Sequence, residues 1–138
     1  RTGLGAIGCG IGQAALDRAV DYAGDREQGG QAIGDYQAVQ ILLADMSSQL
    51  EAARHLVYDS AAGIADDDHD TEKSSRAKYV ASDAAEFVTR NAMQVHGGEG
   101  YRKSLPLERY YRDAKILSII GGTTEIQKTT VARELMED

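Results

Sequence analysis

The stretch that decides how this chain is built lies close to its C-terminal end and reads Ile119-Ile120-Gly121-Gly122-Thr123-Thr124-Glu125-Ile126-Gln127. Two adjacent glycines interrupt a helical pattern, and the threonines that follow suit the N-cap of another helix. Free backbone N–H groups and the helix dipole at such an N-terminus favour an electron-rich oxygen. Taken alone, however, such a stretch is more often a plain helix break than a binding site.

Helical periodicity extends outward from this turn through a chain that has only one proline. Apolar residues at every third or fourth position predict two long amphipathic helices. The first stripe comprises Val39, Leu43, Met46, Leu50, Ala53, Val57, Ala61 and Ile64. The second comprises Val80, Ala84, Val88, Ala92 and Val95.

Breaks and caps set the expected helix boundaries. We predict helices over about residues 3–26 and 35–65, a third from Thr71 or Ser74 as cap to Gly97, a fourth over about 107–120, and a last one capped by Thr123 or Thr124. The chain therefore predicts one all-α domain over residues 1–138, an up-and-down bundle of four or five helices.

Small residues in the first helix indicate close packing of its backbone. Gly8 and Gly12 stand four positions apart on one face, and Gly3 and Gly10 stand seven apart, so we expect a neighbouring element to approach closely at both pairs. Cys9 is the single cysteine, which excludes an intrachain disulfide and favours a reducing compartment. Its apolar surroundings predict an inert buried thiol.

Composition narrows the classes of partner. Twenty-two acidic against fifteen basic side chains give a net charge of -7, which disfavours nucleic acid and anionic membranes. No apolar run is long enough to span a bilayer, and we expect a cytoplasmic location. The run Asp66–Asp70 lacks the spacing of a calcium-binding loop and reads as a solvated loop, so no metal site is predicted.

Six ordered motifs give the chain a specific resemblance. They are Asp21-Tyr22-Ala23-x-x-Arg26-x-x-x-Gly30, Asp35-x-Gln37, Leu43-Ala44-Asp45-Met46, Gln94-Val95-His96-Gly97-Gly98-Glu99-Gly100-Tyr101, Glu108-Arg109-x-x-Arg112-Asp113-Ala114 and Gly122-Thr123-Thr124-Glu125-Ile126-Gln127. Over essentially all 138 residues the chain resembles the C-terminal helical domain of the acyl-CoA dehydrogenases. The resemblance implies an FAD-dependent oxidoreductase of fatty acid metabolism, of which this chain is the C-terminal part. It implies conversion of an acyl-CoA thioester to a 2-enoyl-CoA.

The same resemblance questions the catalytic base. In many members a glutamate stands where Gly121 stands, and its backbone N–H also binds the thioester oxygen. The resemblance places Arg1, Gly121 and Gly122 against the substrate. In the long-chain and isovaleryl-CoA-specific branches the base directly precedes an arginine that Arg1 resembles, so a base just upstream of Arg1 is one expectation. A noncatalytic assembly subunit or domain of this fold is the alternative, and a different oxidation on the same scaffold is a third reading.

Neither nearby glutamate suits the role of a relocated base. Glu125 occupies a position that is often glutamate in relatives that keep the usual base, and we expect it to stabilise the first turn of its helix. We expect Glu99 to face solvent.

The resemblance also implies how FAD is held. It places Arg26 at the pyrophosphate, with a surface ion pair to Asp21 or Asp25 as the alternative. The other residues it places at FAD are Gln28, Gln37, Gln94, Gly97, Gly98, Thr123, Thr124 and Glu125. Gly29 departs from the pattern, since the family commonly has an aromatic residue there.

The remaining motif residues are expected to serve architecture. Because the Arg26 and Gln94 segments serve the FAD of an adjacent subunit in the family, a homodimer or homotetramer is implied, with an electron-transfer flavoprotein or a similar acceptor as partner. We expect His96 to be packed or hydrogen-bonded. The tyrosines Tyr101, Tyr110 and Tyr111 are expected to anchor a loop and a subunit contact, and Arg109, Arg112 and Asp113 to form ion pairs.

Overall fold

A computed structural model describes residues 1–65 and 70–137 of the chain. Its five helices are α1 Thr2–Asp25, α2 Gln37–Ala65, α3 Thr71–His96, α4 Leu107–Leu117 and α5 Thr124–Glu137. A short antiparallel hairpin, β1 Glu27–Gln28 and β2 Gln31–Ala32, and 3-10 turns at Ile33–Asp35 and Gly97–Tyr101 connect them. The prediction of an all-α helical bundle is confirmed, with five helices. In the described ranges no helix is long and apolar enough to cross a bilayer.

Helix α3 lies at the centre of the bundle and contacts each of the other four helices. Its buried face is built mainly from small residues, which allow neighbouring helices to approach closely; they are Ala77, Ala81, Ala84, Ala85, Val88 and Ala92. Larger side chains from α1 and α2, including Leu16, Met46 and Leu50, fill the spaces between the helices. The core therefore fixes the position of α3, the central helix of the bundle.

The glycines of α1 pack as expected at one pair and not at the other. A Cβ at Gly8 would lie 3.0 Å from the Ala81 carbonyl oxygen, and one at Gly12 would lie 2.9 Å from Leu50 Cδ1. The expectation for Gly3 and Gly10 was wrong, because a Cβ at either position would meet nothing within 4 Å. The turn of the helix places these two residues away from the face that packs against α2 and α3.

The apolar stripe of α2 follows the prediction only as far as Val57. Met46, Leu50, Ala53 and Val57 are buried, but Ala61 is exposed and Ile64 is 47% exposed. Ser60 is buried instead, and its Oγ lies 2.7 Å from Thr2 Oγ1 at the start of α1. A hydrogen bond between two hydroxyl groups therefore joins the start of α1 to the last turns of α2.

The ends of the helices differ from the predictions in two places. Asp70 caps α3, since its side chain accepts a hydrogen bond from Lys73 N at 2.9 Å, so the prediction of Thr71 or Ser74 as the cap was wrong. The rest of the expected polar break, residues 66–69, lies outside the described residues. Helix α4 ends at Leu117 rather than near 120, because the chain already winds into the glycine turn.

The hairpin between α1 and α2 was not foreseen. Its two-residue loop is made by Gly29 and Gly30, with φ of 66° and 88°, a conformation that favours glycine. The Tyr36 hydroxyl donates a hydrogen bond to the Gln28 carbonyl oxygen at 2.8 Å, and a Cβ at Gly29 would lie 2.5 Å from that hydroxyl. The Tyr36 hydroxyl thus occupies the space into which a side chain at position 29 would project.

Candidate functional site

The candidate site is the turn that links α4 to α5. The Thr124 N–H donates to the Ser118 carbonyl oxygen at 3.0 Å and closes the turn. Gly121 and Gly122 adopt φ of 64° and 89°, in the left-handed region that L-residues with a side chain rarely occupy. A Cβ at Gly121 would also overlap Leu4 Cδ1 of α1. The turn is therefore built without a side chain at position 121.

Two buried side chains hold the carbonyl groups of this turn. Lys78 of α3 is 0% exposed, and its Nζ donates to the Gly122 carbonyl oxygen at 2.8 Å. Gln127 of α5 is 1% exposed, and its Nε2 donates to the Gly121 and Gly122 oxygens at 3.1 and 3.2 Å. Both carbonyl oxygens consequently point toward the interior of the bundle.

The backbone N–H groups of the turn face the other way. The peptide bonds of the described residues are all trans, and in a trans peptide the N–H points opposite to the C=O of the same unit. The N–H groups of Gly122 and Thr123 therefore point away from Lys78 and Gln127, and within the described residues neither has an acceptor. Together with the N-terminus of α5 they can bind an electron-rich oxygen.

Glu125 and Glu99 are the two glutamates that the sequence brings into question as a relocated base. Glu125 is fully exposed, and hydrogen bonds from its own backbone N–H and from the Thr123 side chain lower the pKa of its carboxyl. Glu99 is exposed and pairs with Arg102 Nη1 at 3.0 Å. A solvent-exposed carboxylate whose pKa is lowered is a weak base, which argues against Glu125, and the ion pair with Arg102 occupies the Glu99 carboxylate.

The predicted cofactor residues fall into two separate clefts. Thr123, Thr124 and Glu125 line a cavity of about 320 Å³, together with Asp83, Glu86, Lys115, Ser118 and Ile119. The second cavity, of about 400 Å³, is lined by Arg26, Gln28, Gln94, Gly97 and Gly98, with Tyr22, Ile33, Val95, His96 and Glu99. Gln37 is exposed at the start of α2 and lines neither of them.

The second cavity, here called the arginine cleft, presents groups suited to an anionic ligand. Arg26 is exposed, and among the described residues it forms no ion pair with Asp21 or Asp25. Gly97 has φ of 57°, and a Cβ at Gly97 or Gly98 would meet nothing within 4 Å, so the backbone there is open. A free guanidinium beside open backbone and two amide side chains is a donor set that phosphate oxygens can use.

His96 forms part of the arginine cleft as a structural residue. Its ring stacks on Tyr22 with centroids 4.2 Å apart, and Nδ1 lies 2.8 Å from the Ala92 carbonyl oxygen. Because a carbonyl only accepts, Nδ1 carries the proton. The expectation of a packed and hydrogen-bonded histidine agrees with this geometry.

Several other expected residues lie apart from these sites. Arg1 lines a cavity of about 370 Å³ with Thr2, Gly3, Ile64, Asp70, Thr71 and Ser74, and not the cavity at the turn. Arg112 pairs with Glu108 at 3.6 Å, and Arg109 lies over the Tyr110 ring. Tyr110 packs against the core, whereas Tyr101 is 81% exposed.

Reasoning from sequence missed Lys78, Gln127 and Leu4. Gln127 ends the opening stretch, but nothing in its type showed that its amide turns back onto the glycines. Lys78 stands one residue after Ala77 and four before Ser82, both of them buried. A lysine on the buried face of a helix is unusual and was the available signal.

The class of protein follows from the fold and the two clefts: a helical domain with one site at a helix N-terminus and another built around an arginine. Comparison with known proteins makes this specific. The sequence profile described as "Acyl-CoA dehydrogenase, C-terminal domain" matches residues 1–136. The chain therefore belongs to the acyl-CoA dehydrogenase family, in which it corresponds to the C-terminal domain.

Three relatives show how far the similarity extends. The chain is 46% identical over 136 residues to 3-sulfinopropanoyl-CoA desulfinase of Paraburkholderia xenovorans, covering 99% of this chain and 35% of that protein. It is 38% identical over 137 residues to the caffeyl-CoA reductase-Etf complex subunit CarC of Acetobacterium woodii, covering 99% of this chain and 36% of that protein. The structure of butyryl-CoA dehydrogenase from Megasphaera elsdenii matches with a TM-score of 0.97 and 42% identity, covering 99% and 36% of the two chains. The chain thus spans about a third of the length of these relatives.

Proposed function

We propose that this chain is the C-terminal helical domain of an FAD-dependent acyl-CoA dehydrogenase that converts an acyl-CoA thioester to a 2-enoyl-CoA. The observation that carries the proposal is the α4–α5 turn, where the Gly121, Gly122 and Thr123 N–H groups have no acceptor within the described residues. The family and the similarity to butyryl-CoA dehydrogenase support the reaction class.

The turn would stabilise charge on the thioester oxygen. An aliphatic proton next to a thioester is far too weakly acidic for a carboxylate to remove unless negative charge on the oxygen is stabilised as it develops. Backbone N–H groups at the N-terminus of α5 supply hydrogen bonds and a favourable dipole for that charge.

The base would come from the residue directly preceding Arg1. Helical geometry already reaches Arg1, since its carbonyl oxygen accepts from Gly5 N at 3.1 Å. Continued upstream by one residue past its N-cap Arg1, α1 would place the preceding residue four positions before Leu4, on the same helix face and about 6 Å along the axis. Leu4 is the side chain that borders Gly121, which supports the idea that this face of α1 is directed at the turn.

FAD would be held at two places. Arg26, Gln28, Gln94, Gly97 and Gly98 would contact it in the arginine cleft, and Thr123 to Glu125 would do so at the turn. When bound, FAD supplies the acceptor for the beta hydride. The separation of the two clefts supports an arrangement in which the arginine cleft serves the cofactor of an adjacent subunit.

The partners proposed are a second copy of the chain and an electron-transfer flavoprotein. Ile126, Leu135 and Met136 expose apolar surface on α5, which supports a homodimer or homotetramer. The name of the CarC relative, a subunit of a complex with Etf, supports an acceptor of that class.

A noncatalytic assembly domain is the second candidate. It is favoured by the overlap of any Cβ at Gly121 with Leu4, which indicates a turn adapted to having no side chain there. The similarity to a desulfinase supports the further variant that the scaffold performs another reaction.

One experiment separates these candidates. The codon before that of Arg1 should encode aspartate or glutamate, and changing that residue to its amide should abolish turnover of acyl-CoA while FAD remains bound. A residue without a carboxyl at that position, or undiminished turnover in the amide variant, would exclude the relocated base. If no acyl-CoA tested is turned over, the result would favour the noncatalytic assembly domain.

A further inference from the structure

Lys78 is a buried lysine whose presence needs a physical reason. Its side chain is 0% exposed, and among the described residues it forms no salt bridge. Burial lowers the pKa of its ammonium, an effect that the negative charges of Asp83 and Glu125 oppose. Burying a cation is costly unless hydrogen bonds compensate for the lost hydration. The Nζ bond of 2.8 Å to the Gly122 carbonyl oxygen is the compensation that the structure provides.

Gln127 converges on the same two peptide groups from another helix. Its Nε2 donates to both the Gly121 and the Gly122 carbonyl oxygens, at 3.1 and 3.2 Å. Its Oε1 is buried and has no partner among the described residues, so the amide is held by the bonds that Nε2 makes. One turn oxygen therefore receives two donors and the other receives one.

The hydrogen bonds from Lys78 and Gln127 restrict a turn whose two glycines would otherwise allow its backbone to change conformation. Each glycine can adopt either sign of φ at little cost, so the peptide planes on either side of Gly122 can rotate. A rotated plane would present its carbonyl oxygen where an N–H now stands, and would repel the oxygen that the N–H can bind. Donors fixed in α3 and α5 oppose that rotation by holding the carbonyl oxygens inward.

We propose that Lys78 and Gln127 act together as positioning residues that lock the peptide planes of the α4–α5 turn with their N–H groups outward. The charged Nζ has a further effect, since a charge-assisted bond to the Gly122 oxygen polarises that peptide group and strengthens the Thr123 N–H as a donor. The lock is a property of the chain itself. Its consequence for the thioester rests on the proposed function.

The lock is tested first in the 138-residue chain without any ligand, by NMR. A scalar coupling between Lys78 ¹⁵Nζ and the Gly122 carbonyl ¹³C is expected in the unmodified chain, and its absence at low temperature would overturn the proposal. Lys78→Met should shift the Gly122 carbonyl and Thr123 amide resonances. Lys73→Met is the matched control, since Lys73 lies on the same helix and pairs at the surface with Asp59 at 3.6 Å. Equal resonance shifts in the Lys78→Met and Lys73→Met variants would also overturn the proposal. If Lys78→Met does not fold, the scalar coupling in the unmodified chain alone decides whether the proposal holds.

The consequence is tested in the FAD-loaded protein that carries this chain. Lys78→Met and Gln127→Met should each lower kcat by about 100-fold, the scale expected when a catalytic group is displaced by about 1 Å. KM and FAD content should change little, and Lys78→Arg should recover part of kcat. A loss confined to stability or FAD content would show a merely structural role. If the unmodified protein turns over no acyl-CoA, the proposed function fails, while the coupling still decides the lock.

Discussion

Replacing Gly121 by alanine should destabilise the chain through two separable effects. The left-handed φ of 64° costs an L-residue about 1–2 kcal/mol. The new Cβ also overlaps Leu4 Cδ1, the end of a flexible side chain that can leave its rotamer for about 0.5–1.5 kcal/mol. The lower freedom of the unfolded chain returns about 0.4–1 kcal/mol. The free energy of unfolding should therefore fall by about 0.5–3 kcal/mol.

A double-mutant cycle with Leu4→Ala separates the two effects. In the Leu4→Ala background the overlap is absent, so Gly121→Ala should be less costly there by about 0.5–1.5 kcal/mol. Urea denaturation followed by circular dichroism measures all four chains. Equal costs in both backgrounds would refute the contact with Leu4. A cost near zero in the chain that keeps Leu4 would refute the strained, left-handed turn.

Three other predictions concern the glycines, the thiol and the arginine cleft. Gly10→Ala should raise the free energy of unfolding by about 0.5–1 kcal/mol, whereas Gly8→Val should lower it, because only Gly8 packs against the Ala81 backbone. Changes of the same sign in both variants, measured by urea denaturation, would contradict this packing. Burial raises the pKa of the Cys9 thiol, with the Arg54 charge partly opposing it, so the folded chain holds this proton more tightly than the unfolded chain. The contribution of Cys9 to stability should therefore be constant below the ordinary thiol pKa and fall as pH rises above it, and a Cys9→Ala chain should lose this part of the dependence in pH-resolved denaturation. Arg26→Ala should weaken FAD binding in the flavin-loaded protein without changing the melting temperature of the chain, whereas a lowered melting temperature with unchanged FAD content would assign Arg26 to structure.

The sequence predicted the helices well because their signals are local. The stripes through Met46 and Val88 depend only on the helical period, and the breaks at Gly97 and Gly121 depend on backbone freedom. The cap of α3 was misplaced because Ser, Thr and Asp all cap helices, and only coordinates show that Asp70 is the one whose side chain meets Lys73 N.

The contacts that shape the candidate site could not be predicted in this way. Lys78 and Gly122 are 44 residues apart, and Leu4 lies near the opposite end of the chain from Gly121. No periodic pattern reports on pairs so distant. The family resemblance implied that the Arg26 and Gln94 segments serve the FAD of an adjacent subunit, and the structure places them in a cavity separate from that of Thr123 to Glu125.

The central claim is that this helical domain serves dehydrogenation of an acyl-CoA although position 121 has no carboxylate. Anaerobic mixing of the FAD-loaded protein with acyl-CoA substrates of several chain lengths, followed by the visible absorbance of the flavin, tests this most directly. At least one of these substrates should bleach the flavin, with formation of the 2-enoyl-CoA. A flavin absorbance that stays unchanged with every acyl-CoA would contradict this claim.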